Sequence, residues 1–437
     1  MSVFRLSAGL LLSGALLFNG CQSSVFQPAN TPTVTVGSVS AIRLNFRFEP
    51  DVPPPVLDAA KTPLEERNAA VQADFDASRQ YELLDRTIAS PDKRHVLAVY
   101  HHLADVQSEY RLDMYSPEGK LIRRLTSEAM AVHFPDTIVW SPDSTLVAFV
   151  AMIRATPAST GSTAPAPGNP VVSSTITPTE NTGTAGEPSP SPVTTQAPAI
   201  GAPTGILTFR TEQIYICSAD GTSVKPITEN EGLIYFYYAW SPDSTMLAAL
   251  AATAREWKYL EILAGSKGEM MVPQGRLRII EKNGRERRLD DNMTAVRPVW
   301  SPDSSKVAGA FETQIRIYDA AGANPSQAAI PLRNQLLISS QAYDRDQQRR
   351  LQASNVDVNA NLPAEPTTPV DQPLSALPDE KSLVSYNPLV EIAWTAEDLL
   401  YLQTAYLRRM KNEADSVRSF SRWHRLILTP QAVAPAR

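Results

Sequence analysis

From Val139 to Val150 the chain reads VWSPDSTLVAFV: an apolar pair, a polar cluster of turn formers, then an apolar run. Ala239–Leu250 (AWSPDSTMLAAL) and Val299–Ala310 (VWSPDSSKVAGA) write the pattern again. A fainter copy opens at Ile88 (IASPDKRHVLAV) and a degenerate one at Ile392 (IAWTAEDLLYLQ). Proline presets φ for the first central position of a turn, and the aspartate after it can accept from nearby backbone amides. Each copy therefore predicts strand, tight turn, strand. The second run has no polar alternation, which predicts a strand covered on both faces, and the tryptophan is the expected plug between neighbouring units. A second turn follows each copy, at Pro117-Glu118-Gly119, Asp220-Gly221 and Asn283-Gly284, and Asp-Gly and Asn-Gly between apolar runs are strong hairpin signals.

Four strands per repeat with hairpins in register predict an all-β fold of four-stranded propeller blades. Steps from Asp92 through Asp143 and Asp243 to Asp303 are 51, 100 and 60 residues, and Trp300 to Trp394 is 94. Both long steps contain low-complexity inserts; without them every unit is about 50–60 residues, the size of one blade. The run W-S-P-D-[GS]-x-x-[LIV]-A, followed by I-[YW]-x-x-x-x-[DN]-G and [RK]-x-[LI]-T, is similar to the WD40-like propeller repeat of the TolB family. It also resembles the propellers of prolyl-oligopeptidase-like peptidases. The resemblance covers Ile88 to Thr429 and implies a β-propeller of five to six blades. TolB-family chains place a sizeable α/β domain before the propeller, and the residues ahead of Ile88 are too few for one. Propellers host many activities, so the resemblance bears on fold more than function.

Taken in order, Ala41–Phe48 (AIRLNFRF) alternates and reads as one strand, expected to complete the blade formed by the other end of the chain. Leu64–Arg86 reads as a helix with a patchy apolar side of Leu64, Val71, Phe75 and Leu83. The propeller is expected over 87–429, with an outer hairpin around Glu261–Pro273. Residues 155–204 are almost wholly Pro, Ala, Ser, Thr and Gly, and 341–381 are polar and then Pro-rich. Such segments bury too little to offset their ordering entropy and are expected to be disordered.

Met1–Gly20 has one basic residue, Arg5, and an apolar run from Leu6 to Phe18, too short to span a bilayer but suited to a secretory leader. Cys21 follows directly, as in the bacterial lipobox, although Phe18 stands where leucine is usual. The resemblance implies a signal peptide over 1–20, lipidation of Cys21, a tether over 21–40, and an extracytoplasmic, membrane-anchored location. Cys217 then has no intrachain partner and is expected as a small buried residue. The net charge of −6 gives no reason to expect nucleic acid, for which a basic face would be expected.

Candidate chemistry is sparse. The repeated Trp140, Asp143, Trp240, Asp243, Trp300 and Asp303 are read as structural, because a catalytic acid is needed once and a turn in every unit. No G-x-S-x-G occurs. His101 and His102 are adjacent on a strand and should face opposite ways, wrong for one metal even with His133. Asp105, Glu109 and Asp113 lack calcium-loop spacing. Arg285–Arg288 and Arg345–Arg350 read as solvated. No catalytic, cofactor or metal residue is therefore named, and the chain is expected not to be an enzyme. The function expected is a lipid-tethered scaffold for a protein or peptide of the cell envelope; the alternatives are a propeller sensing a sugar or peptide, or a lyase or hydrolase acting on a propeller face.

Overall fold

The computed structural model describes residues 34–56, 67–103, 105, 108–153, 212–322, 326–356 and 377–431. The leader, Cys21, most of the tether and the insert 155–204 lie outside them. The described chain is all-β, with five antiparallel sheets and three α-helices. It opens with β1 (Leu44–Glu49) and α1 (Ala69–Ser78). The first sheet is β2 (Glu82–Ala89), β3 (Val96–His102), β4 (Arg111–Tyr115) and β5 (Leu121–Arg124). The second has β6 (Met130–His133) and β7 (Val139–Trp140) both against β8 (Leu146–Ile153), then β9 (Gln213–Ser218) and β10 (Lys225–Pro226).

The third sheet runs β11 (Leu233–Trp240), β12 (Met246–Thr253), β13 (Gly275–Glu281) and β14 (Glu286–Thr294), with α2 (Ala254–Ser266) between β12 and β13. The fourth is β15 (Val299–Trp300), β16 (Lys306–Phe311), β17 (Gln314–Asp319) and β18 (Gln327–Pro331), followed by α3 (Arg333–Val356). The fifth joins β19 (Leu389–Ala396), β20 (Leu399–Arg408) and β21 (Val417–Pro430) to β1. That last pairing, from Leu44 opposite Pro430 to Glu49 opposite Arg425, is the union of the two ends that the lone amino-terminal strand predicted.

The repeated turns join the sheets as well as folding back the chain. Asp143 Oδ1 accepts from the Ser141 hydroxyl (2.5 Å) and the Thr145 amide (3.0 Å), and Asp243 and Asp303 repeat this. Ser144, Ser244 and Ser304 sit at φ of 61°, 60° and 63°, a left-handed conformation costly for a residue with a Cβ. Each hydroxyl accepts from the aspartate amide of the preceding sheet: Asp92 to Ser144 (3.0 Å), Asp143 to Ser244 (3.1 Å) and Asp243 to Ser304 (3.0 Å). The buried indoles do likewise, with Trp140 donating to Ile88 O, Trp240 to Val139 O and Trp300 to Ala239 O. The turns of four sheets are thereby aligned at one end. The degenerate fifth copy breaks the series, because Trp394 donates to Glu397 O of its own turn.

At the fourth sheet the chain's own amino-terminal segment takes the place of that relay. Val36, Val39 and Ala41 are buried among Ile392 and Trp394 of the fifth sheet and Ile315 and Ile317 of the fourth. Lys306, itself buried, donates to Val39 O (2.6 Å) and Asp319 (2.8 Å), and the Ala41 amide also donates to Asp319 (3.0 Å). Gly37 lies so close to the Asp303 carboxylate that a Cβ would fall 1.7 Å from it. The last residues of the expected tether therefore belong to the core.

Several expected boundaries change. The helix read over Leu64–Arg86 spans only Ala69–Ser78, capped by Asn68, whose side chain accepts from Ala70 and Val71. It ends because Arg79 is drawn inward to Asp113, and Glu82–Ala89 is the first strand of the first sheet. The outer hairpin at Glu261–Pro273 is largely helix α2, started by a capping box between Thr253 and Glu256. The insert 341–381 is helical up to Val356: Leu336, Leu337 and Ser340 anchor the start of α3, and Asp344 accepts from the Val384 amide (2.9 Å). Residues 357–376 lie outside the described ones.

Candidate functional site

Because the Ser-Pro-Asp turns share one end, the connections after β3, β8, β12, β16 and β20 share the other. There the sheets differ. The third carries α2, the fourth only Glu312-Thr313, and the fifth a hairpin whose tip pairs with the loop after α2 through Met410 and Glu269. The corresponding stretch of the second sheet is outside the described residues.

On the first sheet this end holds a cavity of about 490 Å³. Strands β2 and β3 supply Glu82, Tyr100 and His102, the following loop Asp105, and β4 and β5 with the chain beyond them Arg111, Arg124, Thr126 and Glu128. Arg111 grips Asp105 with two hydrogen bonds, Nε to Oδ2 (2.7 Å) and Nη2 to Oδ1 (3.0 Å), which keep the guanidinium more firmly protonated than usual. Under the floor, Arg79 donates to Asp113 Oδ2 (2.7 Å) and Glu82 Oε2 (3.0 Å), and its guanidinium carbon lies 4.4 Å from the Phe75 ring centre. Burial pushes the Asp113 carboxyl up despite Arg79, and burial with the Asp113 charge pushes the Tyr100 phenol up. Arg124 is opposite Asp113 in the ladder and exposed, with no hydrogen bond or ion pair among the described residues. The cavity thus offers an exposed cation, Arg124, beside acids that Arg79 and Arg111 already hold, an arrangement that can receive an anionic group.

The residues weighed from sequence are dispersed. His102 lines this cavity, while His101 meets the Tyr110 ring edge-on (centroids 6.2 Å apart). His95 stacks on Trp140, and His133 Nδ1 lies 3.8 Å from Glu212 in the second sheet. Among the described residues no group of three or more His, Cys, Asp or Glu is placed to hold a metal ion. Cys217 is buried in β9, and burial pushes its thiol up to about 12. The Arg285–Arg288 cluster is not simply solvated, since Arg287 reaches Ala320 O of the fourth sheet (2.5 Å). Sequence reasoning had weighed Asp105 and Asp113 only as calcium ligands and passed over Arg111 and Arg124. The polar end of β5, Arg123-Arg124 before buried Leu125, was the available signal.

No family model and no curated relative matches the chain. Solved structures do. An oligogalacturonate lyase in complex with manganese matches at 12% identity over 57% of this chain and 48% of its own, with a TM-score of 0.28. Prolyl oligopeptidase B from Galerina marginata matches at 12% identity over 80% and 36%, TM-score 0.36. A putative TolB from Agrobacterium tumefaciens matches at 12% identity over 56% and 64%, TM-score 0.24. The chain thus spans less than half the length of the first two. The expectation that the chain is not an enzyme is overturned, since two of these three neighbours are enzymes.

Proposed function

We propose that this chain is an extracytoplasmic lipoprotein whose sheets are the blades of a propeller and whose connection-bearing end binds a protein or peptide of the cell envelope. A leader over Met1–Gly20 directs export, and a lipid on Cys21 tethers the chain to a membrane. The pairing of β1 with β21 supports the propeller, since joining first and last strands in one sheet is how a ring of blades is fastened. The described chain has five antiparallel sheets, against the five to six blades expected.

The observation that carries the binding reading is the cavity of the first sheet, where Arg124 awaits a partner beside Glu82 and Asp105. A peptide carboxy terminus or acidic side chain entering it places a carboxylate against Arg124. Crosslinking in intact cells, with mass spectrometry of the captured partner and of the amino-terminal peptide, tests this. The expected result is an acylated Cys21 peptide and one reproducible partner whose recovery falls about tenfold in Arg124→Glu, since reversing a charge that meets its opposite costs well over 1 kcal/mol. An unmodified, freely secreted chain, or undiminished recovery by Arg124→Glu, overturns it.

A further inference from the structure

Helix α2 is amphipathic in sequence yet contributes no buried residue. One side rests lightly on the third sheet and on the chain after β6 of the second through Trp257, whose ring lies 5.4 Å from Phe236 and 5.6 Å from Phe134 between centroids. Tyr259, Ile262 and Leu263, spaced i, i+3 and i+4, are exposed, the first two to 65% and 61%. The loop that follows exposes Met270 and Val272 and is stitched to the hairpin of the fifth sheet, with the Met270 amide donating to Arg409 O (2.9 Å) and the Lys411 amide to Gly268 O (3.2 Å). That hairpin exposes Tyr406, Leu407, Val417 and Phe420. Large apolar side chains are therefore gathered on elements that the backbone fixes to one another across the third and fifth sheets.

We propose that α2 and the β20–β21 hairpin form a docking surface for an anionic lipid bilayer, independent of any lipid on Cys21. Charge favours this occupant. Residues 254–272 and 406–420 carry seven Lys or Arg against five Asp or Glu in a chain whose net charge is −6. Three of those acids are already engaged, Glu256 by Arg276 (2.7 Å) from outside these segments, and Glu261 by Lys258 (2.7 Å) and Glu269 by Arg408 (3.4 Å) within them. Lys267, Arg409 and Lys411, on the loop after α2 and on the hairpin, are exposed beside the aromatic and aliphatic residues, and basic side chains around exposed apolar ones suit a surface lying in the headgroup region. No helix among the described residues is long and apolar enough to cross a membrane, so the contact is peripheral.

Hydrogen–deuterium exchange on the full chain, with vesicles of phosphatidylcholine alone or with 30% phosphatidylglycerol, tests the proposal. It is run on the native chain and on Cys21→Ser. Expected in both is slowed exchange over residues 254–272 and 406–420 with phosphatidylglycerol vesicles, and none in the Ser-Pro-Asp turns. The Lys267→Glu/Arg409→Glu pair should weaken vesicle binding at least about tenfold, as each basic residue near an anionic surface is worth severalfold in affinity. Ile262→Ser/Leu407→Ser should weaken it too, with an unchanged melting temperature showing an intact fold. Vesicle-bound chain with unprotected α2, or protection by a captured protein and not by lipid, overturns the docking surface. Loss of vesicle binding in Cys21→Ser alone overturns it as well, while leaving the lipid tether standing.

Discussion

The two ends of the sheets are built on opposite plans. At the turn end four sheets repeat Ser-Pro-Asp, and three of them add the same left-handed serine and the same indole-to-carbonyl bond. At the connection end no two described sheets are alike. The first has a charged cavity, the third an exposed helix, the fourth a two-residue turn and the fifth a projecting hairpin. Repetition marks the end that holds sheets together, and irregularity marks the end free to acquire chemistry. The lesson applies to tryptophan itself: Trp240 is 7% exposed and hydrogen-bonded between sheets, whereas Trp257 only covers a surface.

Truncating those two residues should separate the plans most sharply. Trp240→Ala should cost about 3–5 kcal/mol, as large buried side chains do, and Trp257→Ala about 1–2 kcal/mol, given its partial burial. Denaturant midpoints would report both, and equal losses would mean that α2 is as integral as the turns. The next effect is one of pH. His424, buried in the fifth sheet, accepts from the Asp51 amide at Nδ1 and meets Thr404 at Nε2. Burial, then the Arg422 charge, lower it from 6.5 to about 4. Between those values the unfolded chain holds a proton that the folded chain refuses, so stability should fall by about 3 kcal/mol as pH drops from 6.5 to 4. The turn carboxylates respond later. Burial raises Asp143 and Asp243, but hydrogen bonds from Ser141 and Thr145, and from Ser241 and Thr245, outweigh it and hold both below 3.8. Their contribution is present above that value and is lost only as pH falls through the lowered folded pKa. In melting curves against pH, His424→Gln should flatten the first phase and leave the second.

The smallest effect sharpens the account of the turns. Ser244→Ala removes the acceptor for the Asp143 amide and keeps a Cβ at φ 60°, and should cost about 1–2 kcal/mol. Ser244→Gly loses the same bond but relieves the left-handed strain, so it should be about 1 kcal/mol less damaging than alanine. If alanine and glycine behave alike, strain at this position is negligible.

What could be read from the sequence follows the same division. The turns were legible because they repeat, and the plug role of Trp140, Trp240 and Trp300 because an apolar giant recurs at one offset. The partnership of β1 with the carboxy-terminal sheet was legible from a strand with no neighbour. The serine's reach to the next sheet was not, since a local motif does not say which backbone lies 3 Å away. The start of α2 was written in Thr253-Ala-Arg-Glu256, a capping box hidden by expecting a hairpin as in the other repeats. The cavity was unreadable because Glu82, Asp105 and Arg124 come from separate strands and loops and meet only after the sheet has formed.

The fastening of β1 to β21 also sets an order of events during synthesis. Leu44–Glu49 is made several hundred residues before its partners, Arg425 to Pro430. Four sheets can be assembled while this strand waits with its backbone amides and carbonyls unclaimed, an edge open to pairing with other chains. The fifth sheet closes only when β21 arrives, so this length-spanning contact is expected to form late in folding.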